Sequence, residues 1–172
     1  MARTHEPLGL TLLVQGPDDW EHARDLRLEM LADSPLAFLE RHGDALERSD
    51  DAWRELHLRR LAPNSRSVAL ADDTGRWLGQ MVVIDDRPSG RAWLVAVYLT
   101  PALRGTRAAA AMLEAVVDWA RERGKDALWL EVHEHNPRAI AFYTRHGFVD
   151  TGGRRPYPLD ESADEVEMRL DL

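Results

Sequence analysis

The sequence predicts a mixed α/β fold in one domain spanning residues 1–172: about seven strands in one sheet, an antiparallel meander joined to a central parallel pair, and helices on both faces. Three observations predict it. Between Ser67 and Leu99, short apolar runs are separated by the turns Asp72-Asp73-Thr74-Gly75 and Arg87-Pro88-Ser89-Gly90, the pattern of antiparallel strands joined at glycine turns. Beyond Gly105, apolar residues at Ala109, Met112, Leu113, Val116, Val117 and Ala120 follow the spacing of a helix lying on a sheet. A further apolar run, Ala127 to Val132, follows that helix, and a right-handed crossover lays it parallel to the strand ending at Leu99.

Taken in order, Leu8 to Gln15 reads as the first strand, closed by Gly16-Pro17. Asp18 fits a helix N-cap with Glu21 as its capping-box partner, and the helix runs to about Ala32, burying Trp20, Ala23, Leu26 and Met30. Ser34-Pro35 breaks it, and Leu36 to Arg48 has no clear period. Ser49 caps the next helix, with Asp50 and Asp51 in its first turn and Pro63-Asn64 beyond its end. Strands over Ser67–Ala71, Arg76–Asp85 and Arg91–Leu99 make the meander. The long helix ends at Gly124, with Arg121 and Arg123 in its last turn. Asn136-Pro137 opens a short helix as cap and first residue, and Gly147 closes it. Phe148 to Thr151 is a strand, Gly152 to Asp164 a loop rich in Gly, Arg and Pro, and Val166, Met168, Leu170 and Leu172 alternate with charges in a half-exposed last strand. Pairing of that strand across two copies gives a homodimer a route to form.

Composition narrows the function. The 172 residues carry a net charge of -8, which argues against nucleic acid as a partner. There is no cysteine, so disulfides, thiol nucleophiles and Cys metal sites are excluded, and no metal is expected. The longest apolar run, Trp93 to Leu99, is too short for a bilayer, and Met1 to Pro7 has no signal-peptide core. A soluble cytoplasmic protein with no membrane partner is expected.

The chemistry concentrates in Val97 to Ala110: a strand, a turn around Arg104-Gly105, then a helix N-terminus. Such a junction presents unpaired N–H groups to an anion. Small residues at Gly105, Ala108, Ala109 and Ala110 let a phosphate approach the backbone, and the Thr106 hydroxyl offers one more hydrogen bond. The competing reading is that the alanines are helix formers packed on the sheet, and from Ala110 onward packing is the better account.

Two motifs carry a family resemblance. Arg104-Gly105-Thr106-Arg107-Ala108-Ala109 is similar to the R/Q-x-x-G-x-G/A loop of the GNAT superfamily of acyl-CoA-dependent N-acyltransferases. Asn136 to Tyr143, followed by His146-Gly147-Phe148, resembles that family's N-x-x-A-x-x-x-Y segment. The resemblance implies a GNAT-like fold and an N-acetyltransferase that takes acetyl-CoA as co-substrate and a small-molecule or peptide amine as acceptor, in a ternary complex. It implies that main-chain groups of Val97, Tyr98 and Leu99 bind the pantetheine arm. It assigns the pyrophosphate to Arg104 through Ala110. Tyr143 becomes the acid for the leaving thiolate. Asn136 is either a cofactor contact or only a helix cap. Arg107 departs from the pattern, which has glycine there; a helical backbone at 107 would make glycine unnecessary. The family's strand carboxylate is absent, since Leu94, Val95 and Ala96 occupy that region. Glu131, His133 and His135 alternate on one face of the next strand, and Glu131 and His133 are the candidate bases, directly or through water. The first helices and the last inter-strand loop wall the acceptor, which points to Phe38 and Tyr157, with Arg154 and Arg155 as carboxylate binders or merely solvated. Two other readings are a catalytically silent acyl-CoA-binding module and a nucleotide-binding α/β protein; the meander in the front half disfavours the second.

Overall fold

The computed structural model describes residues 3–5 and 9–172. In chain order the elements are β1 (Arg3–His5), β2 (Leu10–Val14), α1 (Trp20–Asp33), α2 (His42–Leu46), α3 (Asp50–Arg60), β3 (Ser65–Ala71), β4 (Trp77–Asp86), β5 (Arg91–Leu99), α4 (Ala108–Glu122), β6 (Ala127–His133), α5 (Pro137–Arg145), β7 (Val149–Tyr157) and β8 (Asp160–Asp171). One sheet takes the order β1-β2-β3-β4-β5-β6-β8-β7. Its only parallel pair among the described residues is β5 with β6. All seven expected strands are present, and β1 adds a short eighth beside β2.

Alternation along β3 divides the molecule into two cores. Val68 and Leu70 face Met112, Leu113, Val116 and Ala120 of α4 and Tyr143 of α5. Ala69 and Ala71 face Leu26 and Met30 of α1, Ala45 of α2 and Trp53 of α3, with Tyr98 and Phe38 in the same layer. The aperiodic stretch after α1 therefore contains a one-turn helix and is anchored by Phe38 and Ala45, with most of its other residues exposed.

Local chemistry sets the helix ends. Ser49 Oγ accepts from Ala52 N–H at 3.3 Å, and Asn136 Oδ1 accepts from Ala139 N–H at 3.2 Å. Gly124 and Gly147, with φ of +68° and +89°, close α4 and α5. At α1 the cap lies one residue later than expected. Pro17–Asp19 forms a 3-10 turn, and it is Asp19, not Asp18, whose carboxylate accepts from Gly16 N–H at 2.7 Å.

Two expectations are overturned at the C-terminal end. Gly152 to Asp164 is mostly not a loop: β7 continues to Tyr157 and β8 begins at Asp160. A full-length partner strand outweighs the turn propensity of Gly152, Gly153 and Pro156, and an outer strand tolerates them at the irregular register between Asp150 and Arg154. The last strand is also not at an edge. β8 lies between β6 and β7, so both its sides are paired and it offers no route to a homodimer. No helix among the described residues is long and apolar enough to cross a membrane.

The site is opened by one irregularity. β5 pairs with β6 only at Ala92↔Leu128 and Trp93↔Trp129, and beyond that the strands part. Just past it, Ala96 has φ of 51°, and the register to β4 slips between Gln80 and Val82, so that β5 bulges. Gly79 braces the bulge. A Cβ there would lie 2.8 Å from Leu99 Cδ1, 2.9 Å from the Tyr98 carbonyl and 3.1 Å from Met112 Cε. Gly79→Ala is expected to cost about 1–3 kcal/mol through this overpacking. Urea unfolding checks it: a lower midpoint at constant slope is expected, and an unmoved midpoint would show that the bulge yields freely.

Candidate active site

The chain leaves β5 through a 3-10 turn at Pro101–Leu103 and enters α4 over a short cradle. Gly105 has φ of +80°, a left-handed conformation that an L residue enters at a cost of about 1–2 kcal/mol. Arg107 is helical, with φ of -72° and ψ of -8°. Its one departure from the motif therefore needs no glycine. The N–H groups of Arg104, Thr106 and Ala108 are engaged, by Pro101 O, Leu103 O and Thr106 Oγ1 respectively. Those of Gly105, Arg107, Ala109 and Ala110 have no partner among the described residues and stand at the positive end of the α4 dipole. The Thr106 hydroxyl is not the spare donor expected, because it donates to the Leu103 carbonyl at 2.6 Å. Ala108 is core, and Ala110 lines no cavity.

Arg104 binds the cradle to its surroundings. Its Nε donates to the Leu99 carbonyl at 2.9 Å, and its other end pairs with Asp33 at the end of α1. Burial pushes the Asp33 carboxyl up, but Arg104 and the Ser34 hydroxyl outweigh this and hold it below the usual range. Thr100 N–H donates to Leu78 O on β4, so strand alternation turns the main-chain groups of Leu99 and Val97 away from β4, toward the opening beside β6.

A first cavity of about 370 Å³ occupies that opening. Val97, Tyr98 and Leu99 form one wall, Arg104, Gly105 and Ala109 one end, and Asn136 and Tyr143 the α5 side. Tyr143 is 7% exposed; its hydroxyl has no hydrogen-bond partner among the described residues, and burial alone pushes the phenol up. It stays protonated throughout the neutral range. Asn136 caps α5 through Oδ1 and also lines this cavity, so both its expected roles are compatible with its position. Arg138, Ala139, Phe142 and Arg145 complete the α5 wall; for Ala139 and Phe142, helical spacing along α5 is the signal that would have found them.

A second cavity of about 500 Å³ shares Ala37 and Phe38 with the first and lies against Ala96 where the first lies against Val97. Val95, 37% exposed, faces it. Glu131 lines it from β6, and so does Glu165 from β8, whose carboxyl is pushed up by burial and by the neighbouring Glu131 charge. Arg27 and Arg60 line it from the helical side. Burial and the neighbouring Arg27 charge lower the Arg60 pKa to about 10, leaving it a cation at neutral pH.

Several expected residues are elsewhere. His133 lines neither cavity: its ring meets Tyr157 edge-on at 4.6 Å, and its Nδ1 accepts the His135 N–H at 3.1 Å. Tyr157 is likewise packed, its hydroxyl donating to the Phe38 carbonyl at 3.0 Å. His133 and Tyr157 thus pack on each other and line neither cavity, whereas Phe38 lines both, with its carbonyl held by the Tyr157 hydroxyl. Arg154 is held by Asp150 at 2.7 Å, and Arg155 reaches Glu131 at 3.4 Å. Glu165 and Arg60 were missed because nothing near them in sequence carries a motif; only the sheet order brings their elements to one cavity.

Against known proteins, residues 26–148 match the family described as Acetyltransferase (GNAT) family. An uncharacterized N-acetyltransferase of Mycobacterium bovis is 37% identical over 96 residues, 55% of this chain and 60% of that one, so the match spans less than two thirds of the relative. An IAA acetyltransferase of Azospirillum brasilense is 30% identical over 105 residues, 61% of this chain and 69% of that one. A spermidine N-acetyltransferase from Vibrio cholerae, solved with CoA and spermine, superposes with a TM-score of 0.73 at 19% identity, covering 95% of each chain, which is a likeness of fold.

Glu165 supplies a pH test. Its folded carboxyl is raised, so at neutral pH its buried charge destabilises the fold. Glu165→Gln is expected to melt higher than the parent at pH 7. The gap should narrow as pH falls through the raised folded pKa, where the parent's carboxyl protonates. A constant gap across that range in thermal melts would show that the charge is not its source.

Proposed function

The chain belongs to the GNAT acetyltransferase family, and on that premise we propose that it is an N-acetyltransferase, moving an acetyl group from acetyl-CoA to a primary amine while both are bound. The observation that carries the reading is the contact of the two cavities at Phe38 and at the Ala96–Val97 bulge. One is fitted to an acyl-CoA and the other is lined by carboxylates suited to an amine. The whole chain is read as one acyltransferase domain, and a cytoplasmic location goes with a metabolite made there.

The residues present fit acetyl-CoA. Four free N–H groups at the head of α4 suit a pyrophosphate. The main-chain groups of Val97 and the Leu99 N–H, turned toward the opening, suit the amides of a pantetheine arm, while the Leu99 carbonyl is held by Arg104. When bound, acetyl-CoA supplies an acetyl thioester as the electrophile. Glu131, at the second cavity, takes the proton of the incoming ammonium, directly or through water. The freed amine nitrogen bonds to the acetyl carbon as the C–S bond breaks, and the surplus proton it then carries leaves to solvent. The Tyr143 hydroxyl, in the first cavity, gives its proton to the departing sulfur and is reprotonated from solvent. The net products are an N-acetyl amide and a thiol. Burial keeps Tyr143 protonated through the neutral range, so the proton is in place when the thiolate forms beside it. His133 is not assigned a proton-transfer role, since its ring is packed away from both cavities.

A catalytically silent acyl-CoA-binding module would rest on Arg107 and on the missing β5 carboxylate. The helical backbone at Arg107 and the placement of Glu131 weigh against both grounds.

Tyr143→Phe is expected to lower kcat by about 10²–10³-fold in a thiol-release assay, the range of a positioned general acid, with acetyl-CoA binding kept. A full rate at every pH would remove Tyr143 from the mechanism. Gly105→Val forces a branched residue into the left-handed region and is expected to weaken acetyl-CoA binding about tenfold by calorimetry. Unchanged affinity would dissociate the cradle from the pyrophosphate.

A further inference from the structure

The second cavity is electrically polarised. Its floor crosses the sheet from Ser65 on β3, over β4 and β5, to Glu131 on β6 and Glu165 on β8. β3 to β8 is four strand spacings, about 19 Å at about 4.8 Å each. Under the C-terminal end of α3, Arg27, Arg59 and Arg60 line the cationic side, and Arg48 lies behind it, sharing one carboxylate with Arg27. Glu40 pairs with Arg27 at 2.9 Å and with Arg48 at 2.6 Å, and both arginine charges bear on Arg60. Arg60 itself makes no ion pair among the described residues, and it lines the cavity. The hydroxyl of Ser65 donates to the Arg60 carbonyl at 2.6 Å and fixes where that side chain departs. On the opposite side Glu165 has no ion pair among the described residues. Glu131 has only Arg155, at 3.4 Å and 67% exposed, where the attraction is weak.

Resting on the acyl-transfer reading, we propose that the acceptor is an aminocarboxylate, bound with its carboxylate on Arg60 and its amine toward Glu131 and Glu165. A zwitterion neutralises both ends at once. A diamine would set a second cation against Arg27 and Arg60. An uncharged amine would leave Arg60 unpaired in a half-buried site, where an unmatched charge is costly. Orientation follows as well. The amine end lies beside Ala96, where the second cavity meets the first, and the carboxylate end lies away from it, near Asn64 and Ser65. A planar fork of donors also suits Arg60 to a carboxylate better than a lysine would be.

The test uses the full chain with acetyl-CoA and a series of ω-amino acids of rising length, each set against its primary amide and the matching diamine. The aminocarboxylates are expected to show kcat/KM about tenfold or more above both analogues, since a site built around a charge rejects a ligand that leaves it unpaired. In Arg60→Gln that ratio should collapse toward one through a raised KM, and Arg60→Lys should restore part of it. Acetyl-CoA binding by each variant reports that it has folded. A wild-type ratio near one, a preference for the diamine, or a ratio that Arg60→Gln does not change would overturn the proposal. Calorimetry of the N-acetylated ω-amino acid with CoA present needs no turnover and separates the two failures. Product binding that Arg60→Gln abolishes, without turnover on any amine, would uphold the carboxylate site and overturn the acyl-transfer reading. Turnover without carboxylate preference would do the reverse. Neither turnover nor product binding would overturn both.

Discussion

The parting of β5 from β6 is the constraint on which the rest of the structure depends. A parallel pair would ordinarily continue to the ends of its strands, because each unpaired N–H and C=O removed from water costs about 1–3 kcal/mol. Here it stops after Trp93↔Trp129, and the left-handed Ala96 bends β5 away. The strain is held on the other side by antiparallel pairing to β4, which resumes at Gln80↔Tyr98, and by Gly79, where no side chain would fit. The backbone groups left open by the parting are those available to an extended ligand. The same bulge is the boundary between the two cavities, so a single irregularity creates the groove for one substrate and the junction with the other.

The junction then has to be rigid, and long-range polar contacts supply this. Arg104 ties the end of β5 to the end of α1 through Leu99 and Asp33. Tyr157, brought from β7, ties the segment carrying Phe38 through its hydroxyl. The two contacts fix opposite walls of the shared region using side chains far apart in sequence. Tyr157 therefore belongs to the site through its hold on Phe38 and touches neither cavity itself.

This division also explains what could be read from the chain. The strand–turn–helix from Val97 to Ala110 and the capped helix from Asn136 are local features, determined by period, small residues and caps within about one dozen positions, and the structure has them where the pattern puts them. Cavity one is built mostly from these two segments and was legible to that extent, while Ser34, Ala37, Phe38 and Met81 reach it from elsewhere. Cavity two is assembled from α1, α3 and five strands, and its charged residues sit at positions whose local pattern says only that they are polar. His133 shows the limit of face-sharing arguments. It alternates with Glu131 as expected, but a two-residue step along β6 carries it past the cavity and into the cluster with Tyr157. The C-terminal hairpin shows a second limit: glycines and a proline signal a turn when read alone, yet a partner strand overrides them.

The placement of the base follows from the sheet rather than from a motif. β5 carries Val95 at the second cavity, where a carboxylate is absent. Because β5 and β6 run parallel with Trp93 level with Trp129, two further residues bring Val95 level with Glu131. The carboxylate is therefore one strand over at the same depth along the sheet, across the opening where the strands part. Glu165 on the strand beyond keeps a second carboxylate close, so a proton taken by Glu131 relieves a like-charge repulsion as it is taken. A lone apolar residue on β5 is thus compatible with proton removal, provided that the acceptor's own charge holds its amine at the glutamate side of the cavity.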